Sequence, residues 1–395
     1  MATIRTSGWA AFLFFLTFAF AQSIPAVDYD AIIVGGGPAG LSALSSLSRV
    51  RRTALLVDSG IYRNGLTRFI NDIIGADGVT PSAFRDKARK QIARYATAEM
   101  RNGTVLHITQ VNNVTGQLPY FKVNINFTDT IPPSIVNRRA RKIVLATGIE
   151  DILPNTPGID EAWSRGIYWC PWCDGFEHRD QPLGIIGNAT RFRHSIMEVA
   201  TLNHDIMAFM NGTELQDDQI KHFETHYHIH YKFDIIKNIT RVQDGSINFS
   251  AQNRSQFDIF TVHFHGDTQP VNRSAFVTNF ESKQRSDLPY KLGLKMAGIN
   301  IDNDIHGMLT SAPGVYAVGD CNNDRSTNVP HAMFSGKRAA ISIHISMEEE
   351  NSTAMSTEIG KRTHTQPLSS RDLEALIERD IGNEFEALWP IRREY

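Results

Sequence analysis

Cysteine is scarce in this chain. Three stand among 395 residues, and no second Cys or His pair follows at ligand spacing, which argues against a structural zinc site. Surplus positive charge is absent too. Forty Lys and Arg face 42 Asp and Glu, a formal net charge of −2, so there is no basic footprint for nucleic acid. Membrane-length apolar runs are missing as well: the stretch near the start, Trp9 to Phe20, is too short to span a bilayer comfortably. What remains is an ordinary soluble composition, 42% hydrophobic and 21% charged. It is long enough for two or three domains with a substantial core, and it suits small-molecule partners.

The short apolar run has another reading. Arg5 precedes it and Ala19-Phe20-Ala21 follows, a small-x-small pattern before Gln22. Residues 1–21 therefore read as a signal peptide, with an uncleaved anchor as the competing reading. Asn-x-Ser/Thr acceptors at Asn102, Asn113, Asn126, Asn188, Asn211, Asn238, Asn248, Asn253, Asn272 and Asn351 agree with passage through the secretory pathway. The expected location is secreted or lumenal, with no membrane contact after cleavage.

Two of the three cysteines stand together in Trp169-Cys170-Pro171-Trp172-Cys173-Asp174-Gly175. A loop this short constrains little of the unfolded chain and makes a poor staple. It makes a good redox centre, because one thiol can resolve the other. Cys321 is left over and reads as buried. Trp169 and Trp172 either shape an apolar substrate mouth or pack.

Tyr29 to Val34 reads as a strand running into Gly35-Gly36-Gly37-Pro38-Ala39-Gly40, then a small-residue helix from Leu41 to about Val50, then a strand Ala54 to Val57 ending at Asp58. This is the order a dinucleotide fingerprint requires: glycines let backbone amides approach a pyrophosphate at a helix N-terminus, and the acid accepts from a ribose hydroxyl. The position near the start points to FAD, with Arg63 and Asn71 as further contacts or as solvated loop polars. Phe84 to Met100 reads as an amphipathic helix with a solvated basic face (Arg85, Lys87, Arg89, Lys90, Arg94), and Val105 to Val144 as strands broken at Pro132-Pro133. His226, His228 and His230 alternate as on one strand face, which reads as outward polar positions and not as a metal site.

Four motifs in order carry a resemblance: the first fingerprint, the turn Ala146-Thr147-Gly148 before Leu153-Pro154, the Cys-x-x-Cys-Asp-Gly segment, and Thr310 to Asp320 with Gly319-Asp320. From about Tyr29 to Ile345 the chain resembles the thioredoxin reductase family of flavoproteins. Asp58 to Asn64, with Ser59, and the run Ser326 to Ala340 resemble the fungal dithiol oxidases of that family, which close disulfides in gliotoxin- and holomycin-type metabolites. The resemblance implies FAD, held in part by Asp320 at the ribityl chain and by Asn328 and Val329 near the flavin. It implies a small-molecule dithiol substrate, O2 as acceptor and a homodimer. It places Cys173 nearer the flavin and Cys170 outside, with Asp174 and His331 as candidate bases; His331 is equally read as a helix-start contact to flavin or backbone.

The fold class expected is α/β: two Rossmann-like three-layer domains, with a smaller NADPH-type domain inserted into a discontinuous FAD domain. The parts are 28–152 and 281–347 for FAD, 153–280 for the insert carrying the cysteines, and 348–395 for a C-terminal extension. That extension begins as a polar linker at Glu348, and then Leu373, Ile377, Ile381 and Phe385 recur on one helix face behind a Ser369/Asp372 capping box. NADPH use is not expected. After Ile186 the chain reads Gly187-Asn188-Ala189-Thr190-Arg191-Phe192, with the second glycine replaced and a bulky third position. No arginine follows the next strand, where Glu214 stands. The competing reading has Arg191, Arg193 and His194 supply the charge.

Overall fold

The computed structural model describes residues 23–112, 114–214, 217–247, 254–324 and 326–358. The expected signal peptide, Asn113, Asn248, Asn253 and the proposed terminal helix face lie outside these residues.

The first domain opens with β1 (Tyr29–Val34), α1 (Pro38–Arg49) and β2 (Ala54–Asp58). Pro38 starts α1 because its fixed φ fits a first helical turn and its missing N–H costs nothing there. α2 (Pro81–Ile92) is capped by the Thr80 hydroxyl, which accepts from the Ala83 N–H at 3.2 Å. Then come β3 (Ala98–Val111), β4 (Tyr120–Phe127) and β5 (Ser134–Leu145). The helix expected over 84–100 thus lies earlier and ends earlier. Its last residues, Ala98 to Met100, join a parallel ladder with β2 that runs on to Asn102, and tertiary pairing outweighs their helical pattern.

β3 and β5 each pair parallel along one part and antiparallel along the other, within one six-stranded sheet. The first part of β3 runs beside β2, and its remainder pairs antiparallel with β4. Gly103 marks the change; a Cβ there would stand 2.5 Å from the Asn126 carbonyl oxygen. β5 pairs with β4 and then passes beside β1. The strand side chains alternate accordingly. Ala31, Ile33, Leu56 and Val144 face α1, while Ile32, Val34, Leu55 and Leu145 face the β3–β5 meander. Each fully buried Leu or Ile in such a layer contributes about 1.5–3 kcal/mol.

β6 (Ile149–Asp151) leads out of this domain. The insert holds α3 (Ile159–Ala162), β7 (Ile167–Tyr168), β8 (Leu183–Ile186), α4 (Phe192–Val199), β9 (Ile206–Phe209), α5 (Asp217–Tyr227), β10 (Ile229–Lys232), β11 (Ile236–Gln243), β12 (Ile259–Phe264), β13 (Val271–Arg273) and β14 (Ala275–Thr278). Its parallel sheet has the order β10-β9-β8-β14-β7. Phe192, Ile196 and Val199 of α4 pack on one face, and Phe260, Val262 and Phe264 of the β11–β13 meander on the other. Both domains therefore have three layers. The three histidines do not share a strand: His226 lies in the last turn of α5, His228 sits at φ 55° between elements, and His230 is on β10. The helix continues through Tyr227, so their period-two spacing carries no sheet face.

The chain returns through β15 (Ser282–Gln284), antiparallel to β6, then α6 (Leu288–Lys291), β16 (Met296–Ala297), β17 (Asn300–Ile301), β18 (Val315–Ala317) and α7 (Val329–Glu358). β18 pairs with β5, which completes the parallel order β3-β2-β1-β5-β18. α7 packs along α1. The polar stretch from Glu348 is no linker. It continues α7, because Glu348 pairs with Arg52 and Glu350 with Arg141 and Lys142 on the sheet domain.

Candidate active site

In each sheet the order reverses beside the first strand, between β1 and β5 and between β8 and β14. Doubly wound folds bind ligands at that switch point. The first crevice is a cavity of about 710 Å³. It is lined by Gly35, Gly37, Pro38, Ala39, Asp58, Ser59, Arg63, Asn71, Ala146, Thr147, Gly148, Gly319, Asp320, Asn328 and Val329. Of the residues nominated for cofactor binding, Gly40 alone is absent from the lining. It lets the helix approach the turn, since a Cβ there would stand 2.0 Å from the Gly35 carbonyl oxygen. The cavity fits an adenine dinucleotide. α1 opens into it with no side-chain cap and no acid in its first turn, and Gly37, Pro38 and Ala39 at that end line the crevice.

Two nominated residues are already engaged. Asp58 accepts from the Tyr62 hydroxyl at 2.6 Å, from the Gly60 N–H at 2.9 Å, and from Arg89. Arg89 and Arg85, which lies over the Tyr62 ring at 3.6 Å, had read as solvated charges; their i, i+4 spacing on α2 turns both toward the crevice. Arg63 donates two bonds to Asp151, at 2.8 and 2.6 Å, and one to Asp320 at 3.3 Å. Its fork is filled by carboxylates and not held out to a phosphate. Burial raises the Asp320 pKa, and Arg63 pulls it back down.

Cys170 and Cys173 form a disulfide. Pro171–Gly175 makes one wide helical turn with Cys170 at its N-cap, and the Cys173 N–H points at Cys170 Sγ at 3.2 Å. Cys173 and Asp174 line the crevice and Cys170 does not. Trp169 packs on Trp163, ring centroids 5.2 Å apart, while Trp172 is 63% exposed. Asp174 keeps partial exposure toward the crevice it lines, yet desolvation, with Glu177 adding repulsion, pushes its pKa up to about 8; Arg68 opposes the shift.

The turn is braced from both domains. Asn71 donates to the Cys173 carbonyl. Arg68, on the same loop, donates to both oxygens of Asp258 at 2.7 and 2.9 Å, and to Asp244 at 2.7 Å. Asp258 is fully buried and also accepts from Arg241 and faces His178, whose other ring nitrogen meets the Asp174 carbonyl. His178 and Arg68 hold the Asp258 carboxyl far below its usual range against the cost of burial. Neither His178 nor Asp258 had stood out in the sequence: a buried ion network has no local motif.

His331 is not brought to the crevice wall. It lies in the first turn of α7, where Asn328 Oδ1 accepts its N–H at 2.8 Å, and its Nε2 approaches Asp324 Oδ2 to 2.5 Å, off-axis for a hydrogen bond. Cys321 is buried with its thiol donating to the Leu145 and Val318 carbonyls, and burial raises its pKa to about 11.

In the second crevice the fingerprint amides have partners within the chain. The Asn279 side chain sits against Gly187, where a Cβ would stand 2.3 Å from its Oδ1. That oxygen takes the Asn188 N–H at 2.6 Å, and Asn188 takes the Thr190 and Arg191 N–H groups on its side-chain and main-chain oxygens. Phe192 is buried in the helix–sheet core.

Comparison with known proteins is decisive for the family. The pyridine nucleotide-disulphide oxidoreductase model matches residues 29–192. A probable thioredoxin reductase of Arthroderma benhamiae is 46% identical over 380 residues, covering 92% of this chain and 91% of that one. The chain belongs to the thioredoxin reductase-like flavoproteins. Thioredoxin reductase tcpT of Claviceps purpurea is 30% identical, covering 78% of this chain and 90% of its own. The crystal structure of HlmI superimposes with a TM-score of 0.72 at 28% identity, covering 84% of this chain and 96% of that one. As a member of this family the chain is an FAD-dependent disulfide oxidoreductase, and the first crevice is where FAD fits.

Proposed function

We propose that this protein is a secreted dithiol oxidase that closes a small-molecule dithiol to a disulfide, with O2 as the final acceptor. One observation carries the reading: the amides of the second fingerprint, which would grip the NADPH pyrophosphate, are taken up by Asn279 and Asn188. O2 is plentiful outside the cell and NADPH is not. Exposed sequon asparagines at Asn102, Asn211 and Asn272 support the secretory route.

A substrate thiolate attacks Cys170 Sγ, the sulfur outside the crevice, and the Cys170–Cys173 bond breaks with Cys173 leaving as thiolate. The second substrate thiolate attacks the substrate sulfur of the mixed disulfide. It closes the product and releases Cys170 as thiolate, which the Cys173 N–H is placed to stabilise. Two electrons and two protons leave the substrate. Asp174, in the crevice wall, holds one proton, and its position favours it over His331 as base. The first crevice, lined by Cys173, Gly35, Thr147 and Asp320, would hold FAD, which would supply the two-electron acceptor that lets the Cys170/Cys173 pair re-form its disulfide, the electrons and both protons ending on O2 as peroxide.

Arg191 and Arg193 at the start of α4 favour a second reading, an NADPH-dependent reductase. Two measurements separate them: oxygen uptake when dithiol is added in air, and flavin bleaching when NADPH is added anaerobically. Rapid bleaching by NADPH without oxygen uptake on dithiol would sink the oxidase. A mobility shift on deglycosylation of the protein secreted by its native host tests the location.

A further inference from the structure

The second crevice is closed to pyrophosphate but not filled. It keeps a cavity of about 580 Å³ between the domains. One wall is aromatic: Trp163 stacks with Trp169 at 5.2 Å and with Phe280 at 5.8 Å. Thr278 stands in the wall at the end of β14, 4% exposed, and its hydroxyl has no partner. Buried hydroxyls left unpaired are rare unless a ligand or water completes them.

The charges at the rim are unbalanced. Of the lining acids, Asp151 is ion-paired with Arg63, and Glu198 meets His194 Nε2 at 2.9 Å. Arg191 and Arg193 are exposed, line the same cavity and form no ion pair among the described residues. With Trp163 stacked on Trp169 and Phe280, and Arg63 over the Trp169 ring at 4.8 Å, the wall offers ring edges, which take a further aromatic ring edge-to-face, and guanidinium forks take a carboxylate. We infer that this crevice binds a small aromatic carboxylate, its ring against Trp163, Trp169 and Phe280 and its carboxylate toward Arg191 and Arg193. The fold's usual dinucleotide position has become a monoanion site. It shares Arg63 and Trp169 with the flavin crevice, so an occupant touches the residue next to Cys170 and the partner of Asp320.

The test is calorimetric titration of the FAD-loaded full chain with 2-naphthoate, 2-naphthylmethanol and ADP. The expected result is one saturable site for naphthoate, with the alcohol and ADP each binding at least about tenfold more weakly. Arg191→Ala with Arg193→Ala weakens naphthoate by about tenfold or more. Both residues are on the surface, and FAD content reports that the variant is folded. Thr278→Val, which removes the unpaired hydroxyl at constant shape, also weakens it. The inference is overturned if the alcohol binds as tightly as the acid, if ADP binds more tightly, if the double variant binds unchanged, or if naphthoate shows no saturable binding up to about 1 mM.

Discussion

Asn71 Nδ2 donates to the carbonyl oxygen of Cys173 at 2.7 Å, and Arg254 donates to Asn71 Oδ1 at the same distance. One amide thus ties the redox turn to a flavin-domain loop and to the insert. Asn71→Ala leaves two groups short of a partner, a loss of about 1–3 kcal/mol. Felt as misplacement of Cys173, that lowers dithiol turnover about ten- to a hundredfold. FAD content stays near one per chain. Stopped-flow reduction of the flavin by dithiol checks it; an unchanged rate removes the positioning role.

The two cysteines differ in what they face, so their serine variants differ. Both abolish dithiol turnover. Cys173→Ser leaves the outer thiol, and Cys170→Ser leaves the thiol in the crevice wall. With FAD bound, 5,5′-dithiobis(2-nitrobenzoate) labels the Cys173→Ser protein faster, by about tenfold, a ratio set by access and thiolate fraction. Equal rates would mean that the flavin does not shield Cys173.

Cys321 supplies a third test. Burial lifts its thiol to about 11, and the other two cysteines are joined. Iodoacetamide at pH 8 labels no cysteine in the native oxidised protein, and one per chain after unfolding without reductant, as read by intact mass.

Much of this was legible because the motifs are local. Gly35 to Gly40 followed by Asp58, the Cys170/Cys173 spacing and Gly319-Asp320 each announce a turn whose backbone geometry lies in a few residues. The strand ladder at Ala98 to Asn102 was hidden, because its partner β2 lies 44 residues earlier (98 − 54). Asp258 was hidden for the same reason: Arg68 stands 190 positions away. The damaged fingerprint was visible as Ala189 and Phe192. Its closure by Asn279 was not, since that contact spans 91 positions.

Asp258→Asn tests the clamp. The residue is buried against Arg68, Arg241 and His178, and breaking one partner of such a pair costs about 3–5 kcal/mol. Its folded pKa is held below the ordinary value, so its contribution is present above about pH 4 and is lost as pH falls below that. The Tm deficit of the variant is therefore expected to be largest near neutrality and to shrink toward pH 3. A deficit independent of pH would assign the loss to packing.

Asp174 has the opposite sign. Its folded pKa of about 8 lies above the unfolded value of about 3.9. Between those values the unfolded chain has released the proton and the folded chain keeps it. Stability therefore declines as pH rises through that window, with a ceiling of about 6 kcal/mol above pH 8. Asp174→Asn removes the penalty, so it raises Tm at pH 8.5 more than at pH 4.5. Activity moves the other way. If Asp174 takes the substrate proton, kcat/KM rises toward pH 8, but ionisation of the substrate thiol gives a similar rise. The Asn variant separates the two: its profile follows the thiol alone and its plateau falls about a hundredfold. A profile with unchanged midpoint and height would leave Asp174 as a buried acid without a part in proton transfer.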